Sequence, residues 1–148
     1  MLNFLRTLFL TLSSLLIVTA APAALSAEPS MADYKYVLHI DDMDPSKQEL
    51  VLNNVHNLLD AYPPGEVEIE VVAYGPGLRL LFADNVNAKR IESLSMSGVR
   101  FSACGNTLKG MTKLLGEAPK LNPVATVVPG GIVRIGQLVK QGYIYIKP

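Results

Sequence analysis

Cys104 is the single cysteine in a chain of 148 residues, and it lies in the stretch Gly98-Val99-Arg100-Phe101-Ser102-Ala103-Cys104-Gly105-Asn106-Thr107-Leu108. Val99, Phe101 and Ala103 alternate with Arg100 and Ser102, the two-residue period of a strand. Gly105 then reads as a turn and Asn106 as an N-cap. Leu108, Met111, Thr112 and Leu115 follow at helical spacing. A thiol just ahead of a helix faces unpaired backbone N–H groups and the positive end of the helix dipole. Both favour the thiolate, which is the nucleophilic form. Cys104 is therefore the candidate catalytic residue, with Gly105 and Asn106 supporting its anion. The competing reading is a buried structural cysteine that behaves as a small hydrophobe.

The remaining elements must hold this junction in place. Tyr36-Val37-Leu38-His39-Ile40 reads as a first strand, apolar on both sides. Asp44 as N-cap and Pro45 at the first helical position start a helix. Its stripe is Val51, Val55, Leu58, Leu59 and Tyr62, and Pro63-Pro64-Gly65 ends it. Glu68 to Tyr74 is a second strand. Gly75-Pro76-Gly77 leads into Leu78-Arg79-Leu80-Leu81-Phe82, a short helix or turn that packs either in the core or between subunits. A further helix spans Asn87 to Met96 with Ile91 and Leu94 inward. Gly116 to Pro123 is a loop, and Val124 to Val128 reads as a fourth, buried strand. Pro129-Gly130-Gly131 turns into a helix carrying Ile132, Ile135, Leu138 and Val139. Gly142 ends that helix before a last strand, Tyr143 to Ile146. Strands alternating with helices predict one α/β domain: a three-layer α/β/α sandwich around a mostly parallel five-stranded sheet.

In such a fold, chemistry sits outside the carboxyl ends of the strands. That rule gathers His39, Asp41, Tyr74, Gly75, Gly77 and Gly130 with Cys104 as a candidate pocket. A metal shared by His39, Asp41 and Cys104 has no supporting ligand-pair spacing, so no metal or other cofactor is expected. A hydrogen-bonded structural role is the simpler reading of His39. A Cys–His–acid hydrolase would need a base within reach of the thiol, which the spacing does not supply. Lys109 and Lys113 read as solvated surface lysines, and His56 as a surface residue. The two glycine turns match neither a Gly-Lys-Ser/Thr loop nor Gly-x-Gly-x-x-Gly, so tight turns explain them.

Hydrophobic residues are 49% of the chain and charged residues 18%, enough apolar material for a full core. Part of it belongs to the amino terminus. Arg6 precedes an apolar run from Leu8 to Ala20, and small residues follow to Ala27. Residues 1–27 thus read as a secretory signal, 28–33 as a flexible lead-in and 34–148 as the domain. The run is too short for a spanning helix, so no membrane association is expected after cleavage. Export places the protein in the periplasm or outside the cell. The signal removes one charge, Arg6, and leaves the rest near neutral, which argues against a nucleic-acid partner.

Three stretches resemble the DsrE/DsrF-like family, the sulfur-relay group that includes TusD-type subunits. They are the first strand with His39, the segment Val71-Val72-Ala73-Tyr74-Gly75-Pro76-Gly77-Leu78, and the stretch that ends in Cys104-Gly105-Asn106-Thr107-Leu108. The likeness spans Tyr34 to Pro148. It implies a parallel-sheet α/β/α domain that forms oligomers, often trimers or hexamers. It also implies a cysteine, here Cys104, that carries a persulfide between a sulfur donor and an acceptor protein. Relay members are cytoplasmic, whereas this chain reads as exported. The alternative function is a non-catalytic oligomeric binding or assembly module in which Cys104 is structural.

Overall fold

The computed structural model describes residues 32–148. The signal segment and most of the lead-in lie outside the described residues. Ten elements follow in order: β1 (Tyr34–Ile40), α1 (Pro45–Ala61), β2 (Val67–Ala73), a 3-10 helix (Gly75–Leu81), α2 (Ala88–Met96), β3 (Arg100–Cys104), α3 (Gly105–Leu115), β4 (Ala125–Val128), α4 (Gly131–Lys140) and β5 (Ile144–Ile146). The strands form one sheet in the order β4-β3-β2-β1-β5, and every pair is parallel.

Strand order decides which face each helix covers. From β1 to β4 the chain steps one way across the sheet. Right-handed crossovers therefore put α1, the 3-10 helix, α2 and α3 on a single face. After β4 the chain returns past three strands to reach β5, so α4 lies on the opposite face. The apolar clusters follow this division. The large one joins Leu38, Val71 and Phe101 to Val51, Leu52 and Val55 of α1, Leu78, Leu80 and Leu81, and Ile91 of α2. The small one holds Val37 and Val72 against Ile135 and Leu138 of α4, with Tyr143.

Local chemistry sets the element ends. Asp44 Oδ1 accepts from Ser46 N at 2.7 Å and from Ser46 Oγ at 2.6 Å, with Pro45 in the first turn of α1. This is the side-chain cap that the sequence predicts. The segment Leu78-Arg79-Leu80-Leu81-Phe82 is core rather than subunit packing, since Leu78, Leu80 and Leu81 are fully buried.

Four expectations need correction. The strand at Val124 to Val128 is not buried: it is a sheet edge, and Thr126 and Val127 are exposed. Asn106 is not the cap of α3: the helix starts at Gly105, and Cys104 itself is the N-cap. Only part of each late apolar stripe is inward. Ile132 and Val139 of α4 and Leu115 of α3 face solvent; on α4 it is Ile135 and Leu138 that meet the sheet. Tyr143 also precedes β5 and packs in the small cluster instead of pairing.

Gly77 fixes the approach of the 3-10 helix to β1. A Cβ at this position would lie 2.4 Å from the Ile40 carbonyl oxygen, which is rigid backbone. Gly77→Ala is expected to lower stability by about 1–3 kcal/mol through overpacking. Urea unfolding of the two proteins measures this, and an unchanged midpoint would show that the loop retreats freely.

Candidate functional site

β3 carries Cys104 to the carboxyl end of the sheet. There its extended backbone, φ −68° and ψ 113°, turns directly into α3. The Thr107 backbone N–H donates to Cys104 Sγ at 3.5 Å, so the thiol occupies the capping position that a serine or aspartate oxygen usually takes. Gly105 permits the tight start: a Cβ there would stand 3.0 Å from the Val128 carbonyl oxygen of β4.

A second helix start approaches from the other side. Gly131 is the first residue of α4. A Cβ on it would lie 3.3 Å from Cys104 Cβ and 3.0 Å from Tyr74 Cβ and Cδ1. Only glycine lets the α4 backbone come this near. Gly130 precedes it as N-cap and lies beside the Asn106 side chain.

Burial and these donors act on the thiol in opposite directions. Burial pushes its pKa up, since Cys104 is only 5% exposed. The Thr107 hydroxyl and N–H, and then the N–H groups of Gly131 and Asn106, pull it down, and the net shift is downward. Asn106 thus supports the anion through its backbone, and Gly105 by allowing the helix to begin where it does. The Thr107 hydroxyl is oriented in turn: its Oγ1 accepts from Gly75 N at 2.9 Å, leaving its proton for the sulfur. Gly75 makes that bond from a left-handed conformation, φ +52°, which suits glycine.

The other predicted pocket residues form an adjoining cluster. His39 is 4% exposed, and its Nδ1 bonds the Tyr145 hydroxyl at 2.7 Å. Its Nε2 has no hydrogen-bond partner and stands 3.5 Å from Asp41 Oδ2. Asp41 Oδ2 accepts from Lys147 Nζ at 3.0 Å. Burial lowers the His39 pKa more than Asp41 restores it, which favours a neutral ring. Tyr74 stacks on His39, ring centroids 4.5 Å apart. Burial and the Asp41 carboxylate raise the Tyr74 pKa. Tyr74 follows β2, the strand that lies between β1 with His39 and β3 with Cys104. Among the described residues His39 makes no hydrogen bond to Cys104, so the imidazole is not placed as its base. The described residues also hold no cluster of three or more His, Cys, Asp or Glu side chains suited to a metal.

Two hollows flank the site. A polar one of about 300 Å³ is bordered by His39, Asp41, Asp42, Lys47 and Lys147. An apolar groove of about 420 Å³ runs past Gly75 and Thr107 between Met43, Arg79 and Leu114.

One group escapes a motif search. Glu70 is fully buried on the α4 face. Its Oε1 accepts from Ser102 Oγ at 2.6 Å and Arg134 Nε at 2.7 Å. Its Oε2 accepts from a second Arg134 nitrogen at 2.7 Å and from Arg100 Nε at 3.0 Å. Arg100 also pairs with Glu68 and donates to the Tyr143 hydroxyl at 2.6 Å. Burial raises the Glu70 pKa, but Arg134, Ser102 and Arg100 together hold it below its ordinary value. The sequence signal was the alternation of Glu68 and Glu70 with Ile69 and Val71, which turns both acids to the same face as Arg100 and Ser102.

The downward shift at Cys104 has a sign that can be checked. Alkylation of the folded thiol should reach half its maximal rate below the pH of an ordinary thiol. Thr107→Val should slow it roughly three- to tenfold at low pH, the value of one lost hydrogen bond. By linkage, the stability difference between wild type and Cys104→Ala should grow as pH rises through the lowered folded pKa. It should level off above the unfolded value. A rate profile centred on the ordinary thiol pKa would contradict the donor geometry.

No family model and no curated protein matches the chain. A solved structure does: the protein of unknown function MTH1491 from Methanobacterium thermoautotrophicum, 37% identical, with a TM-score of 0.72. The match covers 78% of this chain and 100% of that one. With its parallel five-stranded α/β sheet and this degree of identity, the chain belongs to the family of MTH1491.

Proposed function

We propose that the protein is a sulfur carrier of the DsrE/DsrF-like kind, with Cys104 holding sulfane sulfur as a persulfide. One observation carries the reading: the thiol accepts from the Thr107 N–H in the first turn of α3 while the start of α4 packs against it at Gly131. A carrier needs a sulfur that is an anion when it attacks and again when it leaves. In the loading step the Cys104 thiolate attacks the outer sulfur of a donor persulfide. A new S–S bond forms to Cys104, and the donor's own S–S bond breaks. The electron pair leaves on the donor's remaining sulfur as a thiolate, with no net oxidation. In the unloading step an acceptor thiolate attacks the outer sulfur. Cys104 departs as the thiolate that Thr107, Gly131 and Asn106 stabilise.

With 5% exposure, the thiol suits a donor that presents its sulfur on a slender arm. An exported, self-associating protein, a trimer or hexamer, with separate donor and acceptor proteins completes this reading. The same low exposure favours one alternative, an assembly module in which Cys104 only packs.

Treatment with glutathione persulfide followed by intact-mass measurement tests the proposal. Wild type should gain one sulfur, lose it to excess thiol, and keep its fold throughout. Cys104→Ser should gain none. A folded wild type that takes up no sulfur and resists alkylation leaves the assembly reading in its place.

A further inference from the structure

We propose that the bidentate Glu70–Arg134 contact holds the first turn of α4 against Cys104, which makes Arg134 a positioning residue for the thiolate. This rests on the reading of Cys104 as a reactive sulfur.

Little else secures α4. It lies alone on its face of the sheet, and its apolar grip is small: Ile135 and Leu138 on Val37 and Val72. Such burial is non-directional and leaves a helix free to slide or roll by a fraction of an ångström. The start of α4 has no room for that freedom beside the thiol, since a Cβ on Gly131 would already lie 3.3 Å from Cys104 Cβ. A guanidinium fork on a carboxylate is directional, since two parallel bonds fix both distance and plane.

Arg134 lies one turn after Gly131, and its backbone N–H bonds the Gly130 carbonyl at 2.9 Å. The turn that ends in the fork is therefore the same turn that begins at the thiol. The other end of the fork is equally constrained. Glu70 sits on central strand β2 and also accepts from Ser102 and Arg100 of β3. Ser102 is two residues before Cys104 on the same face. Glu70 thereby ties the strand that carries the sulfur to the helix that carries one of its donors. All four of these bonds reach donors on those two elements.

Other charged groups near the thiol act from a different direction. Tyr74, just after β2, lies on that side, and its ring stacks on His39, near Asp41, Tyr145 and Lys147. None of them contacts Glu70 or Arg134, so a change at the fork leaves their arrangement alone.

The test is the pH dependence of Cys104 alkylation in the purified full chain. Arg134→Lys keeps the charge beside buried Glu70 but cannot form the fork. Its thiol should react roughly threefold more slowly than wild type at a pH below the wild-type midpoint, the size of one weakened hydrogen bond. The midpoint should move up. Ile135→Val loosens the same helix without touching the fork and should titrate as wild type. Glu70→Gln with Arg134→Met removes both charges, and serves where the lysine variant folds poorly. A folded fork variant that titrates as wild type overturns the proposal, as does a shift of equal size in Ile135→Val. If neither fork variant folds, the contact is a fold determinant and the positioning role falls. A wild-type midpoint at the ordinary thiol value would instead overturn the carrier reading, whatever the variants do.

Discussion

The return of the chain from β4 to β5 governs the rest of this structure. Three crossovers in one direction stack α1, α2 and α3 on one face of the sheet, and the single reversal puts α4 on the other. Right-handedness leaves no other arrangement for parallel strands in this order. The reversal also starts α4 from the end of β4, next to the end of β3. Two helix amino termini are thus brought to one strand end, and Cys104 occupies it. The setting of this thiol is a product of topology before it is a product of any side chain.

The two faces are consequently built by different physics. Where three helices cover the sheet, side chains are apolar and the cluster is continuous. Where one helix covers it, a buried carboxylate and two arginines fill the space that Leu or Val would take elsewhere. A buried ion pair contributes little net stability compared with apolar packing, because desolvation offsets its attraction. Its advantage is geometric: it accepts one orientation of its partners. That geometric constraint acts one turn from the place where α4 packs against Cys104.

The element order and the parallel sheet were legible because each element carried a local signal. Asp44-Pro45 starts a helix whether or not the rest of the protein exists, and Pro63-Pro64 stops it. Cys104 at the strand-to-helix junction was legible for the same reason. The misreadings came where a residue's environment depends on distant strands. Val124 to Val128 looks like a core strand, yet its place at the edge follows only from the complete strand order. Asn106 is an excellent cap by type, but the chain had already entered the helix at Gly105, so the sulfur took the role. Glu70 was hidden because its partners come from residues 100, 102 and 134, and alternation shows a shared face without showing what closes over it. His39 and Asp41 were correctly brought to the same end of the sheet as the thiol. The strand that leads to Tyr74, β2, lies between β1 with His39 and β3 with Cys104, and no spacing rule reveals that order.

The exposed margin at β4 carries a separate implication. An outer strand with unpaired backbone groups is a template on which another chain can extend the sheet. Here the template is four residues long and bounded by Pro123 and Pro129. Proline lacks the N–H that an incoming ladder would need. At the opposite margin, β5 offers only three residues before Lys147 and Pro148. The β4 border is thus cut short by proline and the β5 border is only three residues long, so uncontrolled sheet-to-sheet polymerisation is discouraged at each.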